Sequence, residues 1–112
     1  MDLQITRQRI LELCSESEYG AWEFWSDKDN KTQDEGDRIV QIIKTLVAEK
    51  KLFAVEHSSV KDQSYKEAPL DVARLGKEVE RSLKNDVDPV NFYWFLATDA
   101  GKEEDRSLRS TR

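Results

Sequence analysis

The stretch that most constrains the fold runs from Asp37 to Val55 and reads DRIVQIIKTLVAEKKLFAV. Its apolar residues first recur at helical spacing, on one side of a predicted helix over residues 33–50, at Ile39, Ile42, Ile43, Leu46 and Val47. Acidic residues stand at the start of this helix and Lys50 and Lys51 at its end, an order that the helix dipole favours. The run LFAV then predicts a strand over residues 52–56. The sequence therefore predicts a helix that passes directly into a strand.

Two more helices are predicted from the same spacing. The first begins at Leu3 or Thr6 and ends at Glu16, and the other runs from Pro69 to Lys84. The segment AWEFW, residues 21–25, fits either a helix or a strand. Because Ser17 is a suitable N-cap, we favour a short helix over residues 18–28. The polar residues 26–36 predict a loop.

Residues 92–97 (FYWFLA) are apolar at every position and predict a strand that is sandwiched or paired. Most of the aromatic residues are expected in the core. We expect the surplus on the less buried face of this strand, Tyr93 and Phe95, to form a partner or dimer surface. The domain is predicted to span residues 1–105, with a disordered tail over residues 106–112.

Composition restricts the function classes. The chain has 112 residues, a net charge of −5 and one cysteine, Cys14. A single cysteine excludes an internal disulfide and is typical of the cytoplasm. The longest apolar run is far shorter than the ~20 residues of a membrane helix, and no signal peptide is recognisable. We therefore expect a cytoplasmic protein with no membrane partner.

Three segments carry a family resemblance: TRQRILELCSE, IVQIIKTLVAEKKLFAV and FLATDAGKEED. With them the chain resembles the winged helix-turn-helix superfamily. The resemblance implies an α+β fold with a three-helix core and a small antiparallel β-hairpin. Residues 57–91 separate the two wing strands, and this segment is long enough to hold the helix predicted from Pro69 to Lys84. We therefore expect an extra helix inserted between these strands. The polar residues 26–36 also lengthen the turn before the third helix, which is short in this family.

The resemblance also implies a nucleic-acid surface. In this family the third helix lies in the DNA major groove, which corresponds to residues 33–50. The side chains that would face the groove are Arg38, Gln41, Lys44 and Thr45, and Lys61 and Lys66 would lie near the wing. However, Asp34, Glu35 and Asp37 stand at the end of the helix that phosphate approaches, and the net charge repels DNA.

The sequence contains no recognisable catalytic or cofactor motif. With one histidine, His57, and one cysteine, it offers no His/Cys zinc site, and its four glycines form no phosphate-binding loop. We therefore expect a non-catalytic interaction domain of winged-helix type without a cofactor. Its acidic charge favours a protein partner or self-association, and DNA is the alternative ligand.

Overall fold

The computed structural model describes residues 5–27, 29–57 and 65–110. The helices of this part of the chain are α1 (Arg7–Glu16), α2 (Gln33–Ala48), α3 (Val72–Leu83) and α4 (Asp99–Ser110). The strands are β1 (Tyr19–Gly20), β2 (Leu52–His57), β3 (Tyr65–Ala68) and β4 (Trp94–Ala97). The predicted α+β class is confirmed.

Side chains cap the N-termini of the first three helices. Thr6, Thr32 and Asp71 each accept a hydrogen bond from the backbone N–H three residues later, which satisfies an otherwise unpaired donor. The predicted start of α3 at Pro69 is therefore wrong, because Asp71 caps a helix that begins at Val72. At the other end of α2, Lys50 adopts φ 60° and the N–H of Lys51 donates to the carbonyl of Leu46. This turn directs the chain straight into β2.

The sheet is antiparallel and has the strand order β1-β4-β2-β3. The strands predicted at residues 52–56 and 92–97 are observed as Leu52–His57 and Trp94–Ala97, and they pair as neighbours although β3 and α3 lie between them in sequence. Helix α1 packs on β4 and helix α2 packs on β2. The core lies between these helices and the sheet, and its largest fully buried aliphatic side chains include Ile10, Leu11, Ile39, Ile43, Leu46 and Leu75.

Two predicted local structures are wrong. The helix predicted over residues 18–28 is absent from residues 18–27, the part of it that the structure describes: Tyr19 and Gly20 pair with β4, and a single 3-10 turn follows over Ala21–Glu23. Pairing with a strand far along the chain thus overrides the local helix signal. Residues 106–110 are not a disordered tail, because they complete α4.

Candidate interaction surface

The two central strands, β2 and β4, are apolar on both faces of the sheet. Residues that pair across antiparallel strands share a face, and the faces alternate along each strand. Leu52 pairs with Ala97 and Ala54 with Phe95, and all four belong to the core under the helices. The alternate pairs are Phe53 with Leu96 and Val55 with Trp94. These four side chains therefore lie on the opposite side of the sheet.

Trp22 extends this opposite side across β1. Gly20 pairs with Trp94, and a Cβ atom built on Gly20 would lie 2.0 Å from the Trp22 ring. The indole of Trp22 therefore covers the position that a side chain at residue 20 would occupy. It meets Trp94 edge-on with 5.0 Å between ring centroids, and Phe92 with 5.8 Å. We call the surface formed by Trp22, Phe53, Val55, Trp94 and Leu96 the outer face.

The outer face is separate from the hydrophobic core. Its five residues are not members of the core cluster found among the described residues. Val55, at its centre, is 1% exposed, whereas Trp22, Phe53, Trp94 and Leu96 are half-buried. An antiparallel sheet with one face on the core normally turns polar residues to water on the other. Here the side of both central strands that faces away from the core cluster is apolar instead, with Val55 covered and its four neighbours half-buried.

The two residues predicted to form a partner surface, Tyr93 and Phe95, face the core instead. Tyr93 is 2% exposed and Phe95 is 0% exposed, so neither side chain is available to a partner. The hydroxyl of Tyr93 donates to the carbonyl of Pro69 and accepts from the N–H of Asp71. Since side chains alternate, a one-residue offset moves the candidate surface from these two residues to Trp94 and Leu96.

A buried carboxylate fixes the start of β4 to α3. Glu78 is 6% exposed, and it accepts a hydrogen bond of 2.9 Å from the N–H of Tyr93 and another of 2.9 Å from Arg74. The guanidinium of Arg74 also lies 3.9 Å from the centre of the Tyr93 ring. Burial raises the pKa of Glu78 despite these partners. The arrangement orients β4, so that Trp94, the next residue, points to the outer face.

The predicted DNA-facing residues are on the surface of α2. Arg38, Gln41, Lys44 and Thr45 are all exposed. Gln41 and Thr45 line an open cavity of about 170 Å³ together with Arg7 and Ile42. The cation in this cavity is already paired, because Arg7 contacts Glu49 at 2.7 Å and Glu104 at 2.8 Å.

The basic residues predicted near the wing are not both described. Lys61 lies outside the described residues. Lys66 is exposed on the edge strand β3, where it stands opposite Glu56 of β2 in the strand register. On α2, Arg38 and Lys44 share the exposed surface with Asp34 and Asp37. Two positive and two negative charges give this surface no net attraction for phosphate.

The remaining ionisable groups stabilise the fold. Asp105 is 4% exposed and pairs with Arg109 at 3.1 Å, which also reaches Glu16 at 3.1 Å. Burial raises the pKa of the Cys14 thiol, which keeps it protonated and unreactive. Among residues 5–27, 29–57 and 65–110, no group of three His, Cys, Asp or Glu side chains is placed to hold a metal ion.

Comparisons with family models, with curated proteins and with solved structures found no match. None of the helices in the described ranges combines the length and apolar character needed to cross a membrane. Within the described residues, the outer face departs from an ordinary sheet surface, because it is apolar on the side away from the core cluster.

Proposed function

We propose that this chain is a non-catalytic protein-interaction domain of winged-helix type, and that the outer face is its binding surface. The observation that carries the proposal is that β2 and β4 are apolar on both faces, although only one of these faces packs into the core cluster. Contiguous apolar groups on a surface cost free energy in water and mark sites of association. Two tryptophans and a phenylalanine are also residue types that interfaces favour.

The winged-helix part of the proposal rests on the segment from α2 to β2. This helix enters the strand through a basic turn, and β4 pairs beside that strand before Thr98 begins a last helix. Two departures from the family remain: the polar segment before α2, where the described residues hold a 3-10 turn over Ala21–Glu23, and the insertion of α3 between β2 and β4. Both departures count against the reading of DNA, and they favour a protein-binding role.

Site-specific photo-crosslinking tests the outer face directly. A photoreactive residue replaces Leu96 or Phe53 in the full chain, inside cells that produce it, and adducts are identified by mass spectrometry. Val72 provides the control position, because it is an exposed apolar residue (38%) on α3 and is not one of the five residues of the outer face. We expect discrete protein adducts from positions 96 and 53 and none from 72. Equal adduct patterns at all three positions would refute the proposed surface.

DNA binding through α2 is the second candidate. The observation in its favour is that Arg38, Gln41, Lys44 and Thr45 are exposed along one helix, where bidentate and phosphate contacts require them. Against it stand the acids Asp34 and Asp37 on the same helix and the net charge of −5. We therefore rank the protein-binding function first.

A further inference from the structure

We infer that the outer face binds a basic amphipathic helix of another protein in preference to a second copy of this chain. The inference rests on the proposed function and specifies the partner. Three properties of the surface lead to it: its dimensions, the area that it exposes and the charges around it.

The dimensions of the outer face match one helix. Trp22, Trp94 and Val55 form a row across three neighbouring strands, β1, β4 and β2, in which the two tryptophans are half-buried and Val55 is covered at 1% exposure. At about 4.8 Å between strands, this row is about 10 Å wide, the diameter of a single helix. The strand β4 has four residues, so the surface is about 13 Å long, or between two and three helical turns. A helix here would complete a helix–sheet–helix arrangement, which accounts for a sheet that is apolar on both sides.

The exposed area is too small for a stable dimer. Trp22, Phe53, Trp94 and Leu96 are half-buried, and Val55 contributes almost nothing. Because none of the five is fully exposed, they expose at most on the order of a few hundred Å² together, no more than the largest apolar patch of an ordinary monomer. A stable complex buries about 800 Å² on each partner. The surface is therefore suited to a short segment that binds and dissociates rapidly.

The charges around the outer face select a basic partner. Glu67 pairs with Val55 across β2 and β3, so its exposed carboxylate lies on the outer face. The loop before β4 carries Asp86 and Asp88, of which Asp86 is paired with Arg81. This loop adjoins the outer face, because the indole N–H of Trp94 donates to the carbonyl of Pro89.

A second copy would bring the same charges together. It would add a second set of the same acidic side chains, on a molecule that also carries a net charge of −5. Like charges facing each other across an interface are unfavourable. A segment with a leucine stripe flanked by lysines would instead satisfy both the apolar surface and its acidic border.

The test uses two designed peptides of about 15 residues, long enough to form a bound amphipathic helix. Both have the same leucine stripe; one has lysines and the other glutamates at the remaining positions. Titrations into isotope-labelled full chain are followed by amide NMR shifts and by tryptophan fluorescence. We expect the lysine peptide to bind at least ten-fold more tightly, with shifts on β2 and β4, and this preference to shrink as salt rises.

Three variants locate the binding. Leu96→Glu should weaken the lysine peptide at least ten-fold, and the control Val72→Glu should leave its affinity unchanged. Because Leu96→Glu also affects a half-buried position, Glu67→Lys provides a second, exposed variant that should reverse the peptide preference. Equal affinity for the two peptides, or a preference that survives Glu67→Lys, would overturn the inference.

Sedimentation separates this inference from the proposed function. A wild-type dimer that Leu96→Glu converts to a folded monomer would overturn the basic-helix partner but leave the outer face as an interaction surface. If neither peptide binds, no dimer forms and no crosslinks arise at position 96, both proposals fail. A monomer that prefers the lysine peptide is the result that we expect.

Discussion

Two helical glycines with opposite surroundings show how much one Cβ atom can matter. A Cβ on Gly101, in α4, would lie 2.1 Å from the backbone carbonyl oxygen of Lys51, whereas one on Gly76, in α3, would meet nothing within 4 Å. The close approach at Gly101 lets α4 pack against the turn that joins α2 to β2. We therefore expect Gly101→Ala to lower the free energy of unfolding by about 1–3 kcal/mol, the usual cost of overpacking.

Gly76→Ala is the matched control for this prediction. The same substitution should raise the free energy of unfolding by about 0.5–1 kcal/mol, because alanine loses less conformational entropy in a helix. Urea unfolding followed by circular dichroism measures both changes. A Gly101→Ala variant as stable as the wild type would show that α4 does not pack this closely on Lys51.

The choice of face on β4 could not be made from residue types. Phe92 to Ala97 is apolar throughout, so alternation predicts two faces but not which one meets the core. The structure chooses by non-local contacts: Phe95 pairs with Ala54, where a small side chain leaves room beneath the helices, and the N–H of Tyr93 donates to Glu78 of α3. The alanines at positions 54 and 97 were the available signal, because small residues on a strand suit a closely packed helix.

Among the elements, α2 could be predicted from its own sequence and α4 only in part. The helix stripe, capping threonine and flanking charges of α2 all indicate the same structure. Residues 106–110 contain one apolar side chain, Leu108, and so give no amphipathic signal. Their helix is held by ion pairs from distant segments, such as Arg109 with Glu16. Local patterns cannot reveal partners of this kind.

Helix α4 is also tied to α1 through a pH-dependent ion pair. The hydrogen bonds from Arg7 hold the pKa of Glu104 below its ordinary value. A depressed carboxylate pKa stabilises the fold above the unfolded pKa of about 4.3, and this stabilisation is lost as pH falls through the folded value. We expect Glu104→Gln to cost about 1 kcal/mol at neutral pH, as a part-exposed pair does, and almost nothing in strong acid.

The exposed neighbour Glu103 provides the control for the ion pair. Glu103→Gln should leave the free energy of unfolding within about 0.5 kcal/mol of wild type at every pH, the usual range for a surface substitution. Urea unfolding of both variants between neutral pH and strong acid gives the comparison. If Glu104→Gln lowers the free energy of unfolding by the same amount in acid as at neutral pH, the ion pair is not the source of the destabilisation.

At the scale of the whole molecule, net charge favours one of the two candidate functions over the other. The chain has 23 acidic and 18 basic residues, and its field opposes the approach of a polyanion. We expect a mixed-sequence DNA duplex to cause no salt-sensitive amide shifts on α2, even at low ionic strength, where phosphate contacts are strongest. Two-dimensional NMR of the labelled chain measures this.

The exposed α2 residues allow the opposite result to be recognised. If shifts appear on residues 38–45, Arg38→Ala and Lys44→Ala should each weaken binding and lower its salt dependence by about one counterion, as loss of a phosphate contact does. Lys77→Ala, an exposed change on α3, should then have no effect. That pattern would make DNA the ligand of α2 despite the charge of the molecule. Shifts that stay the same in Arg38→Ala and Lys44→Ala would instead indicate general attraction of DNA to scattered lysines. In that case α2 would be excluded as the helix that binds the major groove.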